Sequence, residues 1–164
     1  VTIIELLESK REHIQRLANQ RGAAGEASAL ARLDNCVPRP RGLGLKILLS
    51  ALLKQGVRIK ATSFDAIQLP HSEGINFTDL EAVERDLDQM VFIEIKTANQ
   101  KRVKPDFTGF FFALSENEIA ASEALGWQHR VVLINNITGE VVNTSVSEII
   151  SKAKSSTWQL SVQL

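Results

Sequence analysis

Apolar residues recur at helical spacing through the first third of the chain, then shift to alternation and short oily runs. From Thr2 to about Ala24, Ile3, Ile4, Leu7, Ile14 and Leu17 fall roughly on one face, leaving Lys10, Arg11, Glu12 and Arg16 for water. This pattern predicts a helix. Gly22 and Gly25 permit a break before a second short helix over 25–35. Two prolines and two glycines in 37-VPRPRGLG-44 enforce an irregular loop. A third helix within 43–56 is apolar almost all round and stopped by Gly56, so it is expected to be well buried.

From Val57 the pattern changes. One or two strands are expected over 57–70, halted by Pro70. After a loop at 71–77, Thr78 and Glu81 have capping-box spacing, and Leu80, Val83 and Leu87 form an amphipathic stripe, predicting a helix over 78–89. A strand at 91–97, a loop at 98–109 and a strand at 110–114 follow. Ser115 with Glu118 forms a second capping box, opening a helix that Gly126 ends. Strands at 129–135 and 140–144 are joined by a turn, Ser145 with Glu148 caps a helix through about Lys154, and 157–164 reads as a final strand. The expected class is α/β: a central mixed sheet flanked by helices. One domain spans 1–164, with a helical N-terminal portion over 1–56 and an α/β core over 57–164.

Composition narrows the functional classes. The 164 residues and 44% hydrophobic content suit one domain with a proper core. Lys+Arg and Asp+Glu balance at 19 each, so nucleic-acid contact must come from local basic segments rather than net charge. Cys36 is the only cysteine, which excludes an intramolecular disulfide and a thiolate zinc cluster and fits a reducing cytoplasm. His13, His71 and His129 lack zinc-ligand spacing. No apolar run approaches the roughly 20 residues of a bilayer span, so no membrane association is expected. The chain opens on Val1 rather than Met, as a trimmed chain or a piece of a longer protein would.

The chemistry concentrates in 91-VFIEIKTANQKRVKPDF-107. Side chains two apart on a strand share a face, so Phe92, Glu94 and Lys96 lie together, opposite Val91, Ile93, Ile95 and Thr97. Asp65 lies within another apolar segment, 63-SFDAIQL-69. If the two strands are neighbours, Asp65, Glu94 and Lys96 converge. Two carboxylates supply hard oxygens for Mg²⁺, with Mn²⁺ as a substitute, and the carbonyl of Ile95 offers another. Lys96 would orient and help deprotonate the water that attacks a phosphodiester. Asp79 and Glu73 are alternative acids. Arg39 and Arg41 in the Pro/Gly loop, and Gln100, Lys101, Arg102 and Lys104 after the E-x-K strand, are candidate DNA contacts. Glu118 is accounted for by its cap, and Trp127 and Trp158 read as core or interface anchors.

The arrangement Asp65…Glu94-Ile95-Lys96 resembles the D…(D/E)-x-K signature of the PD-(D/E)XK nuclease superfamily. The longer run 93-IEIKTANQ-100, 110-FFFALSENEIAASEALG-126 and 130-RVVLINN-136 is similar to the NO VEIN-type domain of that superfamily. The segment 22-GAAGEASAL-30 resembles the G-x-x-G-E helix near the start of such domains, and implies Glu26 as an auxiliary acid. One departure is that 28 residues, including an expected helix, separate Asp65 from Glu94, where the family often has a short hairpin. The resemblance implies a restriction-endonuclease-like core and Mg²⁺-dependent endonuclease activity on double-stranded DNA, within a restriction or defence system. A double-strand cut needs two sites, which implies a homodimer or a place in a larger multidomain protein. The competing expectations are a non-catalytic nucleic-acid- or protein-binding module and, more weakly, a glycosidase, in which Lys96 would have no task.

Overall fold

The computed structural model describes residues 29–154. The helix expected over 2–24, the start of the second helix with Glu26, and the strand expected over 157–164 lie outside the described residues. Among the described residues, five strands form one mixed sheet: β1 (Cys36–Pro38), β2 (Ala66–Gln68), β3 (Val91–Ala98), β4 (His129–Asn135) and β5 (Val141–Thr144), in that spatial order. β3 and β4 run parallel, and every other neighbouring pair is antiparallel. Among the described residues, four complete α-helices accompany the sheet: α1 (Gly42–Lys54), α2 (Leu80–Asp86), α3 (Glu116–Leu125) and α4 (Val146–Lys152). The α/β class with a central mixed sheet is as expected.

The alternation along β3 builds two cores. Phe92 faces α1, α2 and α3, packing with Leu48, Leu52, Val83, Leu87, Ala121 and Leu125. Ile93 and Ile95 face the other way, with Ala29, Ala66, Val132 and Ile134. Phe92 and Phe64 meet edge-on at 5.1 Å between ring centroids, a favoured aromatic geometry. Glu94 and Lys96 therefore continue the helix-covered face of a strand anchored on both sides.

α3 supplies the crossover between the parallel strands, as parallel pairing requires. Its start follows from the expected capping box. Ser115 Oγ accepts the Glu118 N–H at 3.2 Å, and the Ser115 N–H donates to Glu118 Oε2 at 2.9 Å. Gly126 ends the helix at a φ of 58°, which glycine adopts without steric penalty.

Several local expectations are corrected. The 37–44 loop begins with a strand: β1 pairs with β2, so the sheet reaches back into the portion expected to be helical. Its three residues are too few for a sequence period, and Pro38 is tolerated because β1 is an edge strand. No strand forms at 110–114. Its phenylalanines favour β structure, but β3 is already flanked by β2 and β4 and leaves no free edge beside it. The 57–70 segment meets its expectation of one or two strands with one, β2, preceded by a 3₁₀ turn at Ala61–Ser63.

The caps differ as well. α2 is capped by Asp79, which accepts from Glu81 and Ala82, whereas Thr78 bonds to Asn76. At α4, Ser145 accepts the Glu148 N–H, but the Glu148 carboxylate takes the Thr144 hydroxyl at 2.7 Å in place of a reciprocal bond. α1 is buried on one face only, through Gly44, Leu48, Ala51 and Leu52, while Leu43 and Leu53 are 62% and 50% exposed.

Candidate functional site

Asp65 lies at the entry to β2, where the strand is irregular. Its N–H donates to the Ile93 carbonyl at 2.8 Å, although Ala66 is the register partner of Ile93. Its carbonyl turns the other way and accepts the Arg39 N–H at 2.9 Å. In a regular strand both groups of one residue point to the same neighbour, so the ladder is offset by one residue here, and such offsets re-aim side chains. The re-aimed Asp65 carboxylate accepts the Ile95 N–H on Oδ2 at 2.9 Å. The carbonyl of Ile95 shares that edge of β3 by strand geometry.

Three clamps hold the segment that presents Asp65. Arg39 Nη1 donates to the carbonyls of Ala61 and Phe64 at 2.6 and 2.9 Å. His129 Nε2 lies 3.1 Å from the Ser63 carbonyl, and burial pushes the His129 pKa below its ordinary value. Asn117 at the start of α3 donates to the Thr62 hydroxyl at 3.2 Å. Arg39, expected as a DNA contact, thus has a structural task that its position in a basic loop does not reveal.

Glu94 and Lys96 share a face, as the alternation requires. Lys96 Nζ is 2.8 Å from Glu94 Oε1, and it also reaches both carboxylate oxygens of Glu118, at 3.0 and 3.1 Å. Glu118 therefore does more than cap. It is one of three buried positions on α3, with Ala121 three residues on and Leu125 seven on, so the helical period aims it at the sheet. That period is the signal by which the sequence could have assigned it to this cluster.

The electrostatics are those of carboxylates crowded into a dry place. Burial, reinforced by the charge of Asp65, pushes the Glu94 pKa up to about 8 even though Lys96 pulls it down. Asp65 is also raised by burial, against the Ile95 N–H and the nearby cations Lys96 and Arg39. For Lys96, burial favours the neutral amine, but Glu94 and Glu118 together outweigh it and hold the pKa above its ordinary value. Lys96 is thus a fixed ammonium, suited to holding negative charge. Glu94 Oε2 is buried and has no hydrogen-bond partner. A buried carboxylate oxygen without a partner is costly, which adds to the rise in the Glu94 pKa.

The donors fit a hard divalent cation: the Asp65 and Glu94 carboxylates and the Ile95 carbonyl. Among the described residues, no group of three or more His, Cys, Asp or Glu side chains is arranged to hold a metal ion. The set here is smaller on the protein side, which suits Mg²⁺ because that ion usually keeps several waters. The alternative acids lie in other settings. Asp79 caps α2, and Glu73 is exposed beside His71, whose Nδ1 is 3.1 Å from it. Arg41 is exposed at the start of α1, and Gln100, Lys101, Arg102 and Lys104 are exposed after β3, with Gln100 accepting from Arg102 Nε at 3.0 Å. No helix among the described residues is long and apolar enough to cross a membrane.

Compared with family models, curated proteins and solved structures, the chain has no match.

Proposed function

We propose that this chain is a Mg²⁺-dependent DNA endonuclease with a restriction-endonuclease-like core and a PD-(D/E)XK-type site, working in a cytoplasmic restriction or defence system. The observation that carries the reading is that Asp65 sits on the Ile95 N–H, close enough for its charge to raise the Glu94 pKa, while Lys96 is paired with Glu94. Asp65, Glu94 and the Ile95 carbonyl would hold the cation. When bound, that cation supplies Lewis-acid stabilisation of the charge growing on the phosphate oxygens. Glu94 and Asp65 must be ionised to bind it, and cation charge lowers the cost of ionising them.

Lys96, kept charged by Glu94 and Glu118, orients the attacking water and adds positive charge beside the scissile phosphate. Glu118 fixes the ammonium, which otherwise sits on a flexible four-carbon stem. Arg41, Gln100, Lys101, Arg102 and Lys104 would contact the DNA backbone, while Arg39 chiefly holds the Asp65 segment in place. A homodimer, or a second site in a larger protein, would permit double-strand cuts.

The alternative is a non-catalytic binding module on the same fold. The observation in its favour is that Lys96 has both carboxylates as partners without any ligand, so the cluster can act as a structural ion network. Incubation of plasmid, linear and branched DNA with Mg²⁺ or Mn²⁺ separates the two. The nuclease reading expects cleavage by the wild-type protein and, for Glu94→Ala, a loss on the order of a hundredfold or more with DNA binding retained. Intact DNA under every condition, with DNA binding preserved, would leave the binding module.

A further inference from the structure

The segment between β3 and α3 carries features that the metal-centred reading leaves unused. Phe107 is buried and meets Phe110 edge-on at 5.7 Å, and Phe110 stacks on Phe112 at 5.5 Å. These rings sit against Val131, Leu133 and Val146. Backbone bonds tighten the same stretch, from Phe107 N–H to the Lys104 carbonyl at 2.8 Å and from Phe110 N–H to the Phe107 carbonyl at 3.0 Å. Phe111 lies between two seated rings but faces outward and is 87% exposed, more than any other large exposed hydrophobic side chain among the described residues.

The loop also concentrates charge in a chain whose total is balanced. Lys101, Arg102 and Lys104 are exposed there, against the single carboxylate of Asp106, which accepts the Thr108 N–H at 3.0 Å. An exposed aromatic ring on the same connecting segment as several exposed cations is the combination that binds single-stranded nucleic acid, with cations tracking phosphates and the ring stacking on a base. An uninterrupted duplex has no free base face for it. Both ends of the loop lead into the site, since Lys96 precedes it on β3 and Glu118 follows it on α3.

We propose that Phe111 stacks on an unpaired base beside the scissile phosphate, so that the substrate of this site is DNA with a single-stranded portion: a flap, a frayed end or a branch. This inference rests on the nuclease reading. It is tested by binding without cleavage, using wild-type protein and variants in EDTA with fluorescent single-stranded and blunt duplex oligonucleotides of equal phosphate number. Phe111→Ala should weaken single-strand binding about tenfold and change duplex binding less than about twofold, while Phe111→Tyr keeps the wild-type affinity. Lys101→Ala should weaken both ligands alike. Equal loss on both ligands for Phe111→Ala, no loss on either, or absence of single-strand binding by the wild-type protein would each overturn the proposal. If stacking is confirmed but Mg²⁺ produces no cleavage, the nuclease reading alone has failed.

Discussion

Glu118 grips Lys96 at 3.0 Å with the same carboxylate that completes the capping box of α3. The relationship ties the start of a helix to the charge state and position of a strand lysine. A substitution that keeps the cap but removes the charge separates the two tasks. Glu118→Gln retains a carbonyl oxygen for the Ser115 N–H, so α3 should remain intact by circular dichroism while cleavage falls. Glu118→Ala loses the cap as well and should lower stability by a further amount of about 0.5–2 kcal/mol in urea unfolding. Equal unfolding midpoints for the two variants would show that the cap contributes nothing.

Asp65 accepts the buried Ile95 N–H, and this bond also has separable consequences. Asp65→Asn can still accept it and should fold with near-native stability. Asp65→Ala leaves that N–H unsatisfied and should be less stable than the Asn variant by about 1–3 kcal/mol. Both should lose cleavage and Mg²⁺-dependent stabilisation in thermal unfolding. Undiminished Mg²⁺ stabilisation in Asp65→Asn would remove Asp65 from the cation site.

Glu94 makes a prediction about pH. Its folded-state pKa is raised to about 8, above the ordinary carboxylate value, mainly by burial and then by Asp65. The protonated form is thus favoured by folding, and the associated stability is present below the unfolded pKa and lost as pH rises through the folded value. Raised Asp65 acts in the same direction. Metal-free protein should lose thermal stability between about pH 4.5 and 8, and Glu94→Gln should flatten that slope and unfold at a higher temperature at pH 8. Added Mg²⁺ should restore the wild-type protein at pH 8 and leave the Gln variant unchanged. Buried His129, with its lowered pKa, acts the opposite way below its ordinary value, so the Glu94 contribution is the difference between the two proteins. Identical wild-type and Glu94→Gln melting profiles across this window in EDTA would contradict the assignment.

Arg39 Nη1 bonds two carbonyls of the segment leading to Asp65. Arg39→Ala should therefore cost stability of about 1.5–3 kcal/mol, the range for hydrogen bonds from charged groups. It should also weaken Mg²⁺ binding by releasing Asp65. A pure phosphate contact would instead reduce DNA affinity and its salt dependence with unfolding unchanged. Urea midpoints together with salt-dependent binding distinguish the two.

The strand alternation of 91–97, the capping box at Ser115 and the stop at Gly126 were all readable along the chain, because each depends on residues a few positions apart. They determine that Glu94 and Lys96 share a face and that Glu118 opens a helix. What the tertiary structure decided is which distant groups meet there. Antiparallel pairing of β2 with β3, with its one-residue offset at Asp65, bridges the 28 intervening residues and places that carboxylate on the Ile95 N–H. The crossover of α3 onto the same face brings Glu118 to Lys96. The outward turn of Phe111 depends on three neighbouring rings finding seats in the core. Local periods carry no information about such pairings, since they arise from strand register and helix packing between segments far apart in sequence.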